Sequence, residues 1–178
     1  MISITAIGYS TSDKIVKRSG GQPGDLLAVT GDLGGAYLGL QILEREKQLF
    51  LDDPNIKPDL ENQKYLVGRQ LKPEARGDAI QMFHDMNFVP TSMIDISDGL
   101  ASELMHICKS SKVGALIMED QVPMHQEAKL MALNFNLDPI TCALNGGEDY
   151  ELLFTASPED LDKVRQMADV YILGELTP

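Results

Sequence analysis

Apolar and polar residues alternate through residues 2–8 (ISITAIG) with the two-residue period of a strand. Residues 26–30 (LLAVT) read as a second, buried strand behind a Gly-Gly-Gln-Pro-Gly-Asp turn cluster. After GDLGG the period lengthens. Ala36, Leu40 and Leu43 fall on one helical face that runs to the charged EREK, so this stretch is a strand, glycine loop, helix unit. Residues 51–62 are polar and proline-bearing, a surface loop or an insertion. Ala75, Ala79, Met82, Phe83 and Met86 then mark a helix that Asn87 and Pro90 terminate.

A strand at residues 92–96 hands over to a helix with Leu100, Leu104, Ile107 and Cys108 on one face and Gly114 as its stop. Residues 115–119 suit a short strand, 125–134 a helix, and 150–155 a strand entered through glycines. Ser157, Pro158, Glu159 and Asp160 make a helix start: a cap, a proline in the first turn, and acids that the helix dipole favours. Residues 171–173 form a last strand. The pattern predicts an α+β (α/β layered) domain, a mixed sheet of about six strands flanked by helices. Residues 1–178 fit one domain, and the abrupt ends lead us to expect the C-terminal domain of a longer enzyme.

Composition narrows the partners. Of the 178 residues 43% are hydrophobic, enough for a sizeable core. A net charge of −12 repels phosphate backbones and anionic lipids, which argues against nucleic acid and membrane surfaces as partners. With no apolar run near the ~20 residues of a membrane span and no signal-peptide pattern, the chain reads as cytoplasmic. Cys108 and Cys142 lie in apolar contexts and form no C-x-x-C pair, so they read as buried free thiols.

Two segments carry candidate chemistry. In IDISDGL, Asp95 and Ser97 stand two apart, on one side of a strand, with Asp98 at the turn into a helix. Two carboxylates and a hydroxyl there suit Mg²⁺ and, through it, phosphate oxygens. The alternative is that Ser97 or Asp98 only caps the helix. That accounts for one acid and leaves Asp95 in an apolar strand without a reason. GGEDYEL presents Glu148 and Asp149 after two glycines, either as ligands for a metal or an amine or as exposed acids of a tight turn.

Basic residues are few. Arg18 stands beside the first glycine loop, a place suited to phosphate, and Arg69, Lys72 and Arg76 lie in RQLKPEARGD. No P-loop lysine, kinase HRD or DFG set, or G-x-S-x-G elbow appears, and His84, His106 and His125 are each isolated.

IDISDGL followed by NGGEDYELLFT resembles the C-terminal half of the thiamine-monophosphate kinase family. Its superfamily includes aminoimidazole ribonucleotide synthetase, selenophosphate synthetase and a hydrogenase maturation factor. KRSGGQPGDLLAVTGDLGGAYLGL and RQLKPEAR extend the likeness over nearly the whole chain.

The resemblance implies the fold of the synthetase C-terminal domain and transfer of the ATP γ-phosphoryl to thiamine monophosphate. By position, Asp95 and Asp98 would ligate Mg²⁺, Arg18 and Ser97 would contact ATP, and Glu148 or Asp149 would face the substrate. It further implies an N-terminal domain holding more metals, a homodimer in the full-length protein, and an isolated chain that is inactive. The alternatives are another ATP-dependent superfamily member, such as a selenophosphate or aminoimidazole ribonucleotide synthetase, or a non-catalytic ligand-binding or assembly module.

Overall fold

A computed structural model of the chain describes residues 3–5 and 7–178. Five strands make one sheet: β1 (Leu26–Thr30), β2 (Ser92–Asp95), β3 (Gly114–Ile117), β4 (Leu152–Ala156) and β5 (Val170–Thr177). They lie in the order β2-β4-β1-β5-β3, and every neighbouring pair is antiparallel. Among the described residues seven α-helices are interspersed: α1 (Gly35–Asp52), α2 (Lys64–Leu71), α3 (Gly77–Asp85), α4 (Leu100–Ser111), α5 (Gln126–Asn134), α6 (Pro139–Asn145) and α7 (Leu161–Gln166).

The α+β class agrees with the sequence reading, while among the described residues the sheet has five strands and no parallel pair. The strand expected over residues 2–8 accounts for the difference in number. Ile2 and Ala6 lie outside the described residues; the others form no strand, and Ile4 and Ile7 are 90% and 93% exposed.

Alternation along the strands builds two cores. Leu27, Val29, Ile94, Leu153 and Leu173 face α4 and α6, where Leu100, Leu104 and Ile107 meet them. Ala28 and Phe154 point to the other face, against Phe83 of α3, Phe88 and Val164 of α7. β1 is therefore covered on both sides, and each fully buried Leu contributes about 1.5–3 kcal/mol. A third cluster joins α1, α2, α5 and α6 through Leu38, Ile42, Leu66, Met131 and Cys142. Cys108 and Cys142 are both free thiols, Cys142 buried and Cys108 half-buried, and burial pushes each thiol up.

Helices α2 and α6 are additional to the sequence reading. α6 has its start written plainly: Asp138 accepts the Thr141 N–H at 2.9 Å, and Pro139 occupies the first turn. α2 is eight residues long and interrupted by Gly68. It forms because Leu66 and Val67 are buried against α1. Gly39 permits that approach, since a Cβ there would stand 2.0 Å from the Leu66 carbonyl oxygen. No helix among the described residues is long and apolar enough to cross a membrane.

Candidate active site

The edge strand β2 leaves the sheet at Asp95, whose partner in β4 is Leu152. Ile96 is pinned by its N–H to the Glu151 carbonyl (2.8 Å), and residues 97–99 carry the chain into α4. No side chain caps α4, so capping does not explain Ser97 or Asp98. Asp95 and Asp98 are exposed and Ser97 half-buried. Neither aspartate carboxylate makes a hydrogen bond or an ion pair among the described residues.

The second acidic segment closes directly on the first. The Glu148 N–H donates to the Ser97 carbonyl at 2.8 Å, and the Tyr150 N–H to that of Ile96 at 2.9 Å. Gly147 fits tightly between them: a Cβ would come within 2.5 Å of the Ser97 oxygen, and its φ is +69°. Glu148 (φ 61°) and Tyr150 (φ 53°) are left-handed as well. Such backbone costs about 1 kcal/mol or more per residue and persists where its surroundings enforce it.

The turn sends alternate side chains to opposite sides. Glu148 is exposed and accepts the Tyr150 hydroxyl at 3.0 Å. That phenol is held above its ordinary pKa first by Glu148, through hydrogen bond and charge, then by burial and by Asp95 and Asp98. Asp95, Asp98 and Glu148 thus act on one hydroxyl.

Asp149 turns inward. Its carboxylate accepts the N–H groups of Gly34 (2.7 Å) and Ala36 (3.1 Å) and so caps α1. Burial pushes Asp149 up to about 6 against the pull of these amides and of Arg69. Glu151 is also buried, held by Arg69 Nη1 at 3.0 Å and by Arg76 Nη1 at 2.5 Å. Thr30 Oγ1 donates to Glu151 at 2.6 Å and accepts the Leu152 N–H at 2.9 Å.

Arg69 Nη2 donates to the carbonyls of Asp32 (3.0 Å) and Asp149 (3.2 Å), which clamps the GDLGG loop to the GGEDYE turn. Burial works against its charge, yet Glu151, Asp149 and Asp32 raise its pKa. Tyr65 donates to Asp32 at 2.6 Å, and burial followed by that bond raises its hydroxyl.

The structure therefore brings Asp95, Ser97, Asp98 and Glu148 to one ledge and places Asp149 behind it. Arg18 is exposed on the segment beside β2, next to Lys17, whose carbonyl accepts the Met93 N–H at 2.9 Å. The sequence reading passed over Glu151 and Glu103 and gave no partner to Arg69 or Arg76. An acid inside an apolar strand was the available signal for Glu151, and two arginines seven apart around Pro73 the signal for its partners.

Glu103, in the first turn of α4, is 2% exposed, and burial pushes its carboxyl up. One oxygen accepts the Asp98 N–H at 3.4 Å, while the other is buried without a partner. Asp95, Asp98 and Glu148 are exposed on the ledge, and cavities of about 250, 330, 430 and 530 Å³ are lined by other residues.

Exposed carboxylates are the hard oxygen donors that Mg²⁺ takes, and Glu103, whose other oxygen holds the Asp98 N–H, keeps one oxygen buried without a partner. The donor set fits a divalent cation in part, since no group of three side-chain ligands occurs among the described residues.

Residues 22–178 match the family described as AIR synthase related protein, C-terminal domain. The thiamine-monophosphate kinase of Buchnera aphidicola from Schizaphis graminum is 36% identical over 164 residues, covering 92% of this chain and 46% of the relative. The crystal structure of thiamine monophosphate kinase from Aquifex aeolicus superimposes with a TM-score of 0.77 at 31% identity, over 92% of this chain and 50% of that one. AaThiL complexed with AMPPCP and TMP gives a TM-score of 0.72 at 31% identity, over 90% and 47% of the two chains. The chain spans about half the length of the curated relatives it matches.

Proposed function

The chain belongs to the AIR synthase related family through its C-terminal domain, and from that membership we propose that it supplies half of the active site of an ATP- and Mg²⁺-dependent thiamine-monophosphate kinase. The observation that supports this reading is the pairing of Glu148 N–H with the Ser97 carbonyl, which joins IDISDGL, the loop proposed for the metal, to GGEDYEL, the turn proposed for the substrate. The likeness to thiamine-monophosphate kinases supports the substrate, and the relative bound to AMPPCP and TMP supports a nucleotide and a second ligand.

Asp95 and Asp98 would hold Mg²⁺, which supplies charge neutralisation for the phosphoryl group in transfer. This chain's own residues do the positioning. Ser97 offers a hydroxyl between the two aspartates, and Arg18 contributes a cation on the flank of β2 for the nucleotide. Glu148 faces outward with its carboxylate steadied by Tyr150 and takes the thiamine end. Asp149, the other acid assigned to the substrate from sequence, serves instead by capping α1 and fixing the direction of Glu148. A chain of net charge −12 has no other evident means of drawing polyphosphate to an acidic ledge than through cations.

An N-terminal domain, which the greater length of the relatives accommodates, would bring the remaining metal ligands and the homodimer contact. The test is ATP-dependent formation of thiamine diphosphate by this chain joined to such a domain. Turnover of a different phosphate acceptor, with none of thiamine monophosphate, would overturn the substrate. Turnover by the 178 residues alone would overturn the shared site.

A further inference from the structure

We propose that Glu103 is a positioning residue of the Asp95–Asp98 loop, a buried third carboxylate that ties the loop down and holds negative charge beneath its divalent cation. The inference rests on the metal reading above.

Its basis is a mismatch between place and chemistry. Leu100, Leu104 and Ile107 of the same helix are buried in the sheet-facing core, surroundings that suit an apolar side chain better than a carboxylate. A carboxylate with 2% exposure is expensive there unless both oxygens are satisfied. One is satisfied, since it accepts the Asp98 N–H at 3.4 Å. The other has no partner, and a native buried group of this kind calls for an explanation. The charged groups acting on Glu103 are the like-charged Asp98 and, one turn along α4, His106.

Asp98 acts on Glu103, and Asp95, Asp98 and Glu148 act on the Tyr150 hydroxyl, while none of the four carboxylates has a Lys or Arg ion pair among the described residues. A hard cation over the loop would relieve the repulsion between Asp98 and Glu103 and give the orphan oxygen a charge to face, directly or through a water of the ion's own shell.

A purely mechanical role, tying down the loop, needs only an acceptor, which glutamine keeps. The test is therefore Mn²⁺ titration of the chain, read by paramagnetic broadening of the Asp95, Asp98 and Glu148 amide signals, beside hydrogen exchange of the Asp98 amide. Glu103→Gln should keep the slow exchange at Asp98 and weaken Mn²⁺ about tenfold; Glu103→Leu should lose both.

In the unmutated chain, a Mg²⁺ titration should move the Glu103 carboxyl ¹³C signal with the midpoint of Asp98. Glu103→Gln binding Mn²⁺ as tightly as the unmutated chain, or a Glu103 signal that stays still while Asp98 moves, overturns the inference and leaves the metal reading standing. No broadening at all in the unmutated chain overturns the inference, and the same titration of the chain joined to an N-terminal domain then decides the metal reading.

Discussion

Asp149 stands 115 residues beyond Gly34 in the chain, and its Oδ2 accepts the Gly34 N–H at 2.7 Å. An acid from the GGEDYEL turn therefore caps the helix that follows the first glycine loop. Asp149→Ala leaves the Gly34 and Ala36 amides buried and unpaired. Urea denaturation should show a loss of about 2–4 kcal/mol.

The same carboxyl gives a signed pH dependence. Its value in the folded chain is raised to about 6 from 3.8, so the folded state holds this proton more tightly than the unfolded one. The contribution to stability is complete below about 3.8 and is lost as pH rises through about 6. From this group alone the chain should lose roughly 2 kcal/mol between pH 4 and pH 7. Asp149→Asn cannot titrate, and the stability difference between the two proteins should follow that course. A flat difference would show that Asp149 does not titrate there.

Glu151 is the shared acid of two arginines. Glu151→Ala leaves Arg69 and Arg76 without it in a largely buried place and should cost about 3–5 kcal/mol in chemical denaturation. Glu151→Gln keeps an acceptor for Thr30 and should cost less.

Gly39 of α1 and Gly68 of α2 should respond in opposite directions. Gly39→Ala drives a methyl to 2.0 Å from the Leu66 carbonyl, whereas a Cβ at Gly68 meets nothing within 4 Å. The first should lower stability by about 1–3 kcal/mol through overpacking. The second should raise it by about 0.5–1 kcal/mol, because alanine is the better helix residue.

Asp95→Asn and Asp98→Asn change exposed carboxylates, so stability should stay within about 0.5 kcal/mol. Phosphoryl transfer by the joined two-domain protein should fall at least tenfold. A parallel fall in melting temperature would return these residues to a structural role.

What the sequence made legible was local. β1, α1, β2 and α4 show their periods, and both acidic glycine segments stand out because each sets acids against an apolar strand. The direction of neighbouring acids was hidden. Glu148 and Asp149 look equivalent in GGEDYEL, yet one faces solvent because the amides that claim the other lie at Gly34 and Ala36. α2 escaped notice because Gly68 and the charges of RQLKPEAR outweigh two buried apolar residues, and α1 is what makes those two count. Strand order and direction are tertiary facts, so the antiparallel sheet could not be read from spacing.

The sheet order has a consequence in time. β1 is central and the earliest strand of the sheet to be synthesised, yet its two neighbours are β4 and β5, with Leu26 opposite Ala156 on one side and Glu175 on the other. At about 5–20 residues per second, the ribosome needs roughly 7–30 s to pass from Thr30 to Thr177. Until β4 is made, Leu27, Ala28 and Val29 have neither neighbouring strand of the sheet to pair with. The chain must complete every helix of the domain before its middle strand is flanked, and closing loops of this length makes for slow folding. A nascent chain halted before Leu152 would carry its central strand unpaired on both edges, which makes it a natural client for a holding chaperone.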